Sequence, residues 1–130
     1  MIGILLVTHG DIGKSLIDCA TNILGNKPTC LKLISIKSTN NLLKYQETIS
    51  KQLEELNNGN GVLVITDIYG ATPCNLLQNF IKPGDIEVIT GLNLPMLIKA
   101  LSDRKNNLNS LINESLECAK KNIKKIELKW

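Results

Sequence analysis

Two uninterrupted apolar segments constrain the fold of this 130-residue chain more than any other feature of its sequence. Residues 2–7 and 62–65 carry no polar side chain, and a polar turn follows each of them. Short strands of this composition are typical of parallel sheets that helices cover on both faces. Between them, apolar residues recur at helical spacing. The pattern therefore predicts an α/β domain in which strands and helices alternate.

The other elements are predicted from apolar periodicity between turn signals. Two further strands are expected over residues 31–36 and 86–89, and residues 126–128 suit a short edge strand. Five helices are expected: from Asp11 as N-cap to residue 24, over 42–56 after a cap at Thr39 or Asn40, from Thr72 as N-cap to residue 80, over 94–101, and over 108–122. The apolar stripes of these helices, including Ile12 and Ile23 in the first, are expected to pack on the sheet.

The order of the strands follows from two rules on parallel sheets. Crossovers are right-handed, and Lys32 in the second strand favours an edge position. We therefore expect a flavodoxin-like three-layer sandwich with a mostly parallel sheet in the order 2-1-3-4. In this order the first and third strands are neighbours.

Length and composition exclude several classes of protein. With 43% hydrophobic residues the chain suits one domain over residues 1–130, and no apolar run approaches the roughly 20 residues that cross a bilayer. We therefore expect a cytoplasmic protein without membrane insertion. The net charge of +3 is modest and only 3% of the residues are aromatic, which argues against nucleic-acid binding.

The cysteine and histidine content argues against a metal centre. The four cysteines are scattered without a C-x-x-C pair, and each falls in an apolar pattern, so we expect buried free thiols. One histidine and no ligand-type spacing predict no metal site and no cofactor.

Polar residues follow the two neighbouring strands, where parallel sheets place their ligands. His9 and Asp67 lie 58 positions apart in sequence, but adjacent strands are about 5 Å apart, so we expect their side chains to meet. A carboxylate on one imidazole nitrogen leaves the other nitrogen free as a nucleophile. Gly10 and Gly70 leave room for an approaching molecule, and helix starts at Asp11 and Thr72 favour an anion such as phosphate.

Each of these residues also has a plainer interpretation. A lone histidine is often a surface residue, Asp67 suits a turn, and Thr72 suits a helix start. A rival motif occupies residues 8–15, T-H-G-D-I-G-K-S, which matches the phosphate-binding P-loop except that Thr8 replaces its first glycine. That glycine permits the sharp turn of the loop, and the simpler interpretation places Lys14 and Ser15 on the solvent side of the first helix.

Three segments together resemble a known family. The first strand running into Thr8-His9-Gly10, the segment G-V-L-V-I-T-D-I-Y-G-A-T-P-C-N over residues 61–75, and T-G-L-N-L-P-M over residues 90–96 are similar to a mannose-type IIA component of the bacterial phosphoenolpyruvate-dependent sugar phosphotransferase system. The resemblance covers essentially the whole chain. The phosphotransfer subunit of dihydroxyacetone kinase shares the fold but matches residues 67–73 less well.

The resemblance implies a phosphocarrier. His9 would accept phosphate from the small carrier HPr, Asp67 would be its hydrogen-bonding partner, and the loop with Gly10, Gly70, Ala71 and Thr72 would hold the phosphate. The family commonly has Gly-Gly-Ser-Pro-Phe-Asn where this chain has G-A-T-P-C-N over residues 70–75, so the hydroxyl is retained. The transfer needs neither metal nor nucleotide.

The resemblance also implies protein partners. Many relatives continue into a IIB domain, so a separate EIIB protein is expected to accept the phosphate here. The alternative is a phosphorylation-state sensor that regulates other proteins and serves no transporter. Family members form homodimers, and residues 126–128 are placed where a C-terminal strand swapped between subunits would pair.

Overall fold

Four parallel strands form the centre of the fold. The computed structural model describes residues 1–105 and 107–129 of the chain. Its strands are β1 (Gly3–His9), β2 (Leu31–Ile36), β3 (Val62–Thr66) and β4 (Ile86–Ile89). They are hydrogen-bonded in the order β2-β1-β3-β4, and every pair is parallel. The predicted order is confirmed.

Helices cover both faces of the sheet. They are α1 (Ile12–Leu24), α2 (Leu42–Leu56), α3 (Thr72–Leu77), α4 (Leu94–Ser102) and α5 (Leu108–Lys121), with single 3-10 turns at Thr39–Asn41 and Gln78–Phe80. Residues of α1, α4 and α5 join one hydrophobic core, and residues of α2 and α3 join the other. Among the described residues, no helix has the length and apolar character needed to cross a membrane.

The two cores explain why the sequences of the central strands are continuous apolar runs. In β1, Ile4 and Leu6 face the first core, whereas Leu5 and Val7 face the second. All four side chains have no solvent exposure. Since alternate residues of a strand point to opposite faces, a sheet covered on both sides requires every position to be apolar.

A close contact between α1 and β1 fixes the turn after β1. Gly13 is buried in the first turn of α1, and its backbone N–H donates a hydrogen bond of 3.2 Å to the Thr8 hydroxyl. Asp11 is the N-cap as predicted, but its side chain makes no capping hydrogen bond. The hydroxyl of the preceding strand therefore takes over the role expected of the aspartate.

The structure corrects two other predicted helix caps. Ala71, which lacks a side-chain donor or acceptor, is the N-cap of α3, and Thr72 is its first helical residue. The 3-10 turn before α2 begins after Ser38, whose hydroxyl accepts from the N–H of Asn40. Thr39 and Asn40 lie within this turn, so neither is the N-cap of α2 as predicted. Boundaries predicted from residue preferences are commonly displaced by one or two positions because neighbouring polar residues can satisfy the same N–H groups.

Three predictions about burial and the C-terminus are wrong for this chain. Ile12 and Ile23 are exposed, whereas α1 buries Gly13 and Ala20 and packs Leu16 and Ile17 against the core. The cysteines are not buried: Cys19 and Cys30 are exposed, and the other two are half-buried. Within residues 107–129, the segment after α5 forms no strand, so residues 126–128 do not extend the sheet of their own chain.

Gly13→Ala is expected to destabilise the protein even though alanine favours helices. A Cβ atom at this position would lie 2.6 Å from the Thr8 hydroxyl and 2.5 Å from Leu33 Cδ1. Overpacking of this kind costs about 1–3 kcal/mol, which exceeds the gain of about 1 kcal/mol from helix propensity. Urea unfolding followed by circular dichroism measures the change.

Ser15→Ala is the matched control on the same helix, since Ser15 is exposed. We expect this variant to gain a few tenths of a kcal/mol from propensity alone, roughly 0.5 kcal/mol at most. Equal stabilisation by Gly13→Ala would contradict the close contact between α1 and β1.

Candidate functional site

The candidate site is a contact between the ends of β1 and β3. Nδ1 of His9 lies 3.0 Å from Oδ2 of Asp67, and the same oxygen accepts a hydrogen bond of 2.9 Å from the His9 backbone N–H. The other oxygen, Oδ1, accepts from the N–H of Ile68 at 3.0 Å. The expected meeting of the two side chains is confirmed. His9 is the last residue of β1. Asp67 directly follows β3, which is one position closer to that strand than the apolar segment 62–65 predicts.

Three hydrogen bonds keep the Asp67 carboxyl ionised. Burial alone would raise the pKa of this carboxyl, but hydrogen bonds from the His9 backbone, the His9 ring and the backbone at Asp67 hold the pKa below its usual range. An ionised carboxylate only accepts hydrogen bonds, so Nδ1 of His9 carries the proton. Nε2 then keeps a free electron pair.

The two members of the pair differ in their exposure. The Asp67 side chain is 7% exposed, whereas the His9 side chain is 43% exposed. The carboxylate is thus largely shielded from solvent, whereas much of the imidazole is accessible to it. This arrangement favours one tautomer of the neutral ring and leaves the ring accessible.

A recess of about 350 Å³ opens beside the histidine. It is lined by His9, Ile36, Lys37, Ser38, Asn40 and Thr72. The structure thus brings Thr72 together with His9 as predicted. Gly10, Gly70 and Ala71 do not line the recess, although each is close in sequence to a residue that does. Gly10 and Gly70 have positive φ values of 49° and 80°, which explains glycine at these two turns.

Four residues of the recess were not predicted from the sequence: Ile36, Lys37, Ser38 and Asn40. Lys37, Ser38 and Asn40 come from the connection between β2 and α2, which was interpreted only as a helix cap. A signal was available, because β2 pairs with β1 in parallel and His9 is the register partner of Ile36. The residues that directly follow Ile36 therefore lie at the same edge of the sheet as His9.

The geometry of residues 8–15 does not form a phosphate-binding P-loop. Only Gly10 and Asp11 connect β1 to α1, so no loop is long enough to wrap around a nucleotide phosphate. Lys14 lies on the exposed side of α1, where its ammonium is 3.5 Å from Asp18 Oδ2. The simpler interpretation of this segment, as a strand end followed by a helix, is confirmed.

Asp67→Asn is expected to remove a contribution to stability that depends on pH. Because the folded-state pKa of Asp67 is lowered, its ionised form stabilises the native protein above about pH 4, and this contribution is lost as pH falls through the folded-state pKa. The variant should be less stable than wild type by about 1–2 kcal/mol near pH 7. Urea unfolding of both proteins at several pH values down to about pH 3 should show the difference shrinking.

The control is Asp18→Asn, which removes an exposed carboxylate of an i,i+4 pair. Exposed pairs contribute about 0–1 kcal/mol, so this variant should stay close to wild type at each pH. A difference between Asp67→Asn and wild type that does not change with pH would contradict an ionised Asp67 in the folded state.

Comparison with known proteins identifies the family. The family model described as "PTS system fructose IIA component" matches residues 3–119. The fructose-specific EIIA component of the phosphotransferase system (PTS) of Bacillus subtilis (strain 168) is 26% identical over 136 residues, which cover 98% of this chain and 92% of that protein. The PTS mannose-specific EIIAB component of Escherichia coli (strain K12) is 28% identical over 131 residues, but the chain spans only 40% of its length.

Solved structures show the same fold. The mannose/sorbose-specific IIA subunit from Enterococcus faecalis superposes with a TM-score of 0.84 at 23% identity, over 99% of this chain and 97% of that chain. The EIIA component from Streptococcus agalactiae gives a TM-score of 0.83 at 23% identity, over 96% and 97%. Because the family model spans most of the sequence, the chain belongs to the EIIA-man family, the fructose- and mannose-type IIA components of the phosphotransferase system.

Proposed function

We propose that this protein is a histidine phosphocarrier that accepts phosphate from phosphorylated HPr on His9 and passes it to a separate EIIB protein. IIA components of the phosphotransferase system are phosphotransferases as a class, and membership of the family gives the general reaction. The observation that carries the specific assignment is the 3.0 Å contact between Nδ1 of His9 and the Asp67 carboxylate. In the neutral ring this contact leaves Nε2 unprotonated, and His9 lines the recess.

The chemistry is an exchange of one N–P bond for another. The Nε2 electron pair of His9 attacks the phosphorus of the donor phosphohistidine in line with the leaving nitrogen. As the new N–P bond forms, the old one breaks, and its electron pair returns to the donor ring. The donor ring leaves as a neutral imidazole that keeps its remaining N–H. His9 becomes a phosphorylated imidazolium, and its Nδ1 proton stays hydrogen-bonded to Asp67.

Asp67 has two roles in this scheme. It orients the ring, because one of its oxygens binds both the backbone N–H and Nδ1 of His9. It also stabilises the positive charge that develops on the imidazole when Nε2 is phosphorylated. Its own position is fixed by a hydrogen bond from Ile68, so the carboxylate needs no rearrangement during transfer.

The phosphoryl oxygens are assigned to the loop that leads into α3. The Thr72 side chain lines the recess, and its hydroxyl is not used to cap α3. Gly70 and Ala71 precede it, and a Cβ atom at Gly70 would meet nothing within 4 Å, which leaves open space there. Gly10 contributes space in the same way, since a Cβ atom there would also meet nothing within 4 Å.

The surface around His9 suits a protein donor and a protein acceptor. Ile12, Ile68 and Tyr69 are exposed apolar or aromatic side chains within three residues of His9 or Asp67 in sequence. Exposed apolar side chains grouped near a reactive group are characteristic of protein interfaces. Hydrolysis of a small soluble phosphate ester would not require exposed apolar side chains around the histidine. These side chains therefore favour transfer between proteins.

His9→Ala is expected to abolish phosphate uptake, and Asp67→Ala is expected to slow it while leaving residual labelling. Purified protein is incubated with phosphoenolpyruvate, enzyme I and HPr, and a parallel sample receives only magnesium ATP. Intact-protein mass spectrometry should show one acid-labile phosphate in the first sample alone. Loss of the positioning carboxylate should lower the initial rate by about 10²–10⁴-fold, the range typical of oriented catalytic groups.

Asp18→Ala is the control for loss of a carboxylate, since Asp18 is exposed on α1 away from the recess. It should be labelled at the wild-type rate. Normal labelling of His9→Ala, or labelling by magnesium ATP alone, would contradict the assignment.

We also propose that the protein forms a homodimer through its C-terminal segment. Ile126 is 94% exposed, and Ile123 and Leu128 are also largely exposed, although apolar side chains at such spacing usually find a partner. The outer edge of β4 lies at the end of the sheet. A C-terminal strand from a second chain would cover both features.

Replacing Ile126 and Leu128 together by Asp is expected to convert a dimer into a monomer. Sedimentation velocity measures the molecular mass at several protein concentrations. The control replaces Lys124 and Lys125 by Ala, which changes the net charge by the same two units and retains the apolar side chains. A dimer that persists in the first variant, or dissociates equally in the second, would contradict this interface.

A further inference from the structure

Lys37 stands beside His9, and the transfer scheme above gives it no role. It lines the same recess as His9 and Thr72. It directly follows Ile36, whose carbonyl accepts the Gly10 N–H at 3.1 Å and whose position pairs with His9 in the sheet. The backbone of Lys37 therefore directly follows the residue that pairs with His9 across the sheet.

The backbone of Lys37 is fixed, but its ammonium group is held weakly. The Lys37 N–H donates to the Tyr45 hydroxyl at 3.1 Å, which anchors the start of the side chain on α2. Nζ lies 3.4 Å from Oδ1 of Asp11, and these two side chains are 66% and 77% exposed. Exposed pairs of this kind contribute little to stability. The ammonium is therefore free to exchange Asp11 for a better anion nearby.

A phosphoryl group on His9 supplies that anion. It carries up to two negative charges and three acceptor oxygens, whereas Asp11 offers one negative charge that solvent screens. Lysine suits this exchange because its charge sits at the end of a flexible four-carbon chain. Lys14 forms a similarly exposed pair with Asp18, but it does not line the recess.

We propose that Lys37 binds the phosphoryl group of phosphorylated His9 and that Asp11 is its partner in the unphosphorylated protein. The ammonium moves from one anion to the other when phosphate arrives, with no covalent change at Lys37. This inference rests on the proposed phosphocarrier function of His9. It also predicts that Asp11 destabilises phosphorylated His9, because the Asp11 carboxylate competes for the Lys37 ammonium and repels the phosphoryl charge.

The test measures the equilibrium constant for phosphoryl transfer from HPr to this protein. Purified phosphorylated HPr is mixed with each variant, and the phosphorylated fraction of both proteins is read by intact-protein mass spectrometry at equilibrium. Lys37→Met should lower the equilibrium constant by about tenfold, the effect of one cation lost beside a phosphoryl group at a partly solvated site. Asp11→Asn should raise it by about threefold on the same grounds.

Lys14→Met is the matched control, since it removes the same charge from an equally exposed lysine of an acid pair. It should stay within about twofold of wild type, because Lys14 does not line the recess and exposed charges are screened by solvent and salt. In the Lys37→Met background, Asp11→Asn should raise the constant less than it does in wild type. The deficit of Lys37→Met should also shrink in high salt, which a loss of folding would not produce.

The outcomes separate this inference from the function on which it depends. If HPr labels the wild type and Lys37→Met behaves like Lys14→Met, the role of Lys37 is overturned and the phosphocarrier function stands. If the wild type accepts no phosphate from HPr, the proposed function itself fails. Lys37→Arg, which keeps the positive charge, should retain most of the equilibrium constant, and a loss equal to that of Lys37→Met would also overturn the proposal.

Discussion

The carboxylate of Asp67 is the interaction on which the site depends. Oδ2 binds the backbone N–H and the ring of His9, and Oδ1 binds the N–H of Ile68. A charged group that is 7% exposed would destabilise the fold if these donors were missing. The same bonds that offset its burial also join the ends of β1 and β3 and set the tautomer of the histidine. Stability and chemistry therefore rely on one group.

The strand order is what makes this interaction possible, and it was predictable. Residues 2–7 and 62–65 lack polar side chains because both faces of β1 and β3 are buried in separate cores. The reversal of strand order places these two strands side by side and brings together residues 58 positions apart. Uninterrupted apolar strands, helical spacing and the handedness of crossovers predicted the fold class, the sheet order and the His9–Asp67 contact, because each follows from burial averaged over a whole element.

Features that depend on a single neighbouring atom were not predictable from such patterns. The Thr8 hydroxyl binds the N–H of Gly13, so the side chain of Asp11 has no capping bond and instead lies near Lys37. Ala71, which has no capping group at all, begins α3. Cys19 is exposed although it falls within the apolar pattern of α1. In each case the outcome was decided by the local path of the backbone, which residue preferences describe only on average.

Under the proposed function, Asp67 and Lys37 meet two different requirements of a phosphocarrier. Ring orientation must be constant, and Asp67 is buried and held by three hydrogen bonds. Phosphoryl charge is present only part of the time, so a cation fixed beside His9 would be unpaired whenever the site is empty. The exposed pair of Lys37 and Asp11 avoids that cost, because the ammonium has an anion in either state. In this proposal, a weak, solvated contact with Lys37 adds little to the stability of the phosphorylated form, so the phosphate can still pass to the next carrier.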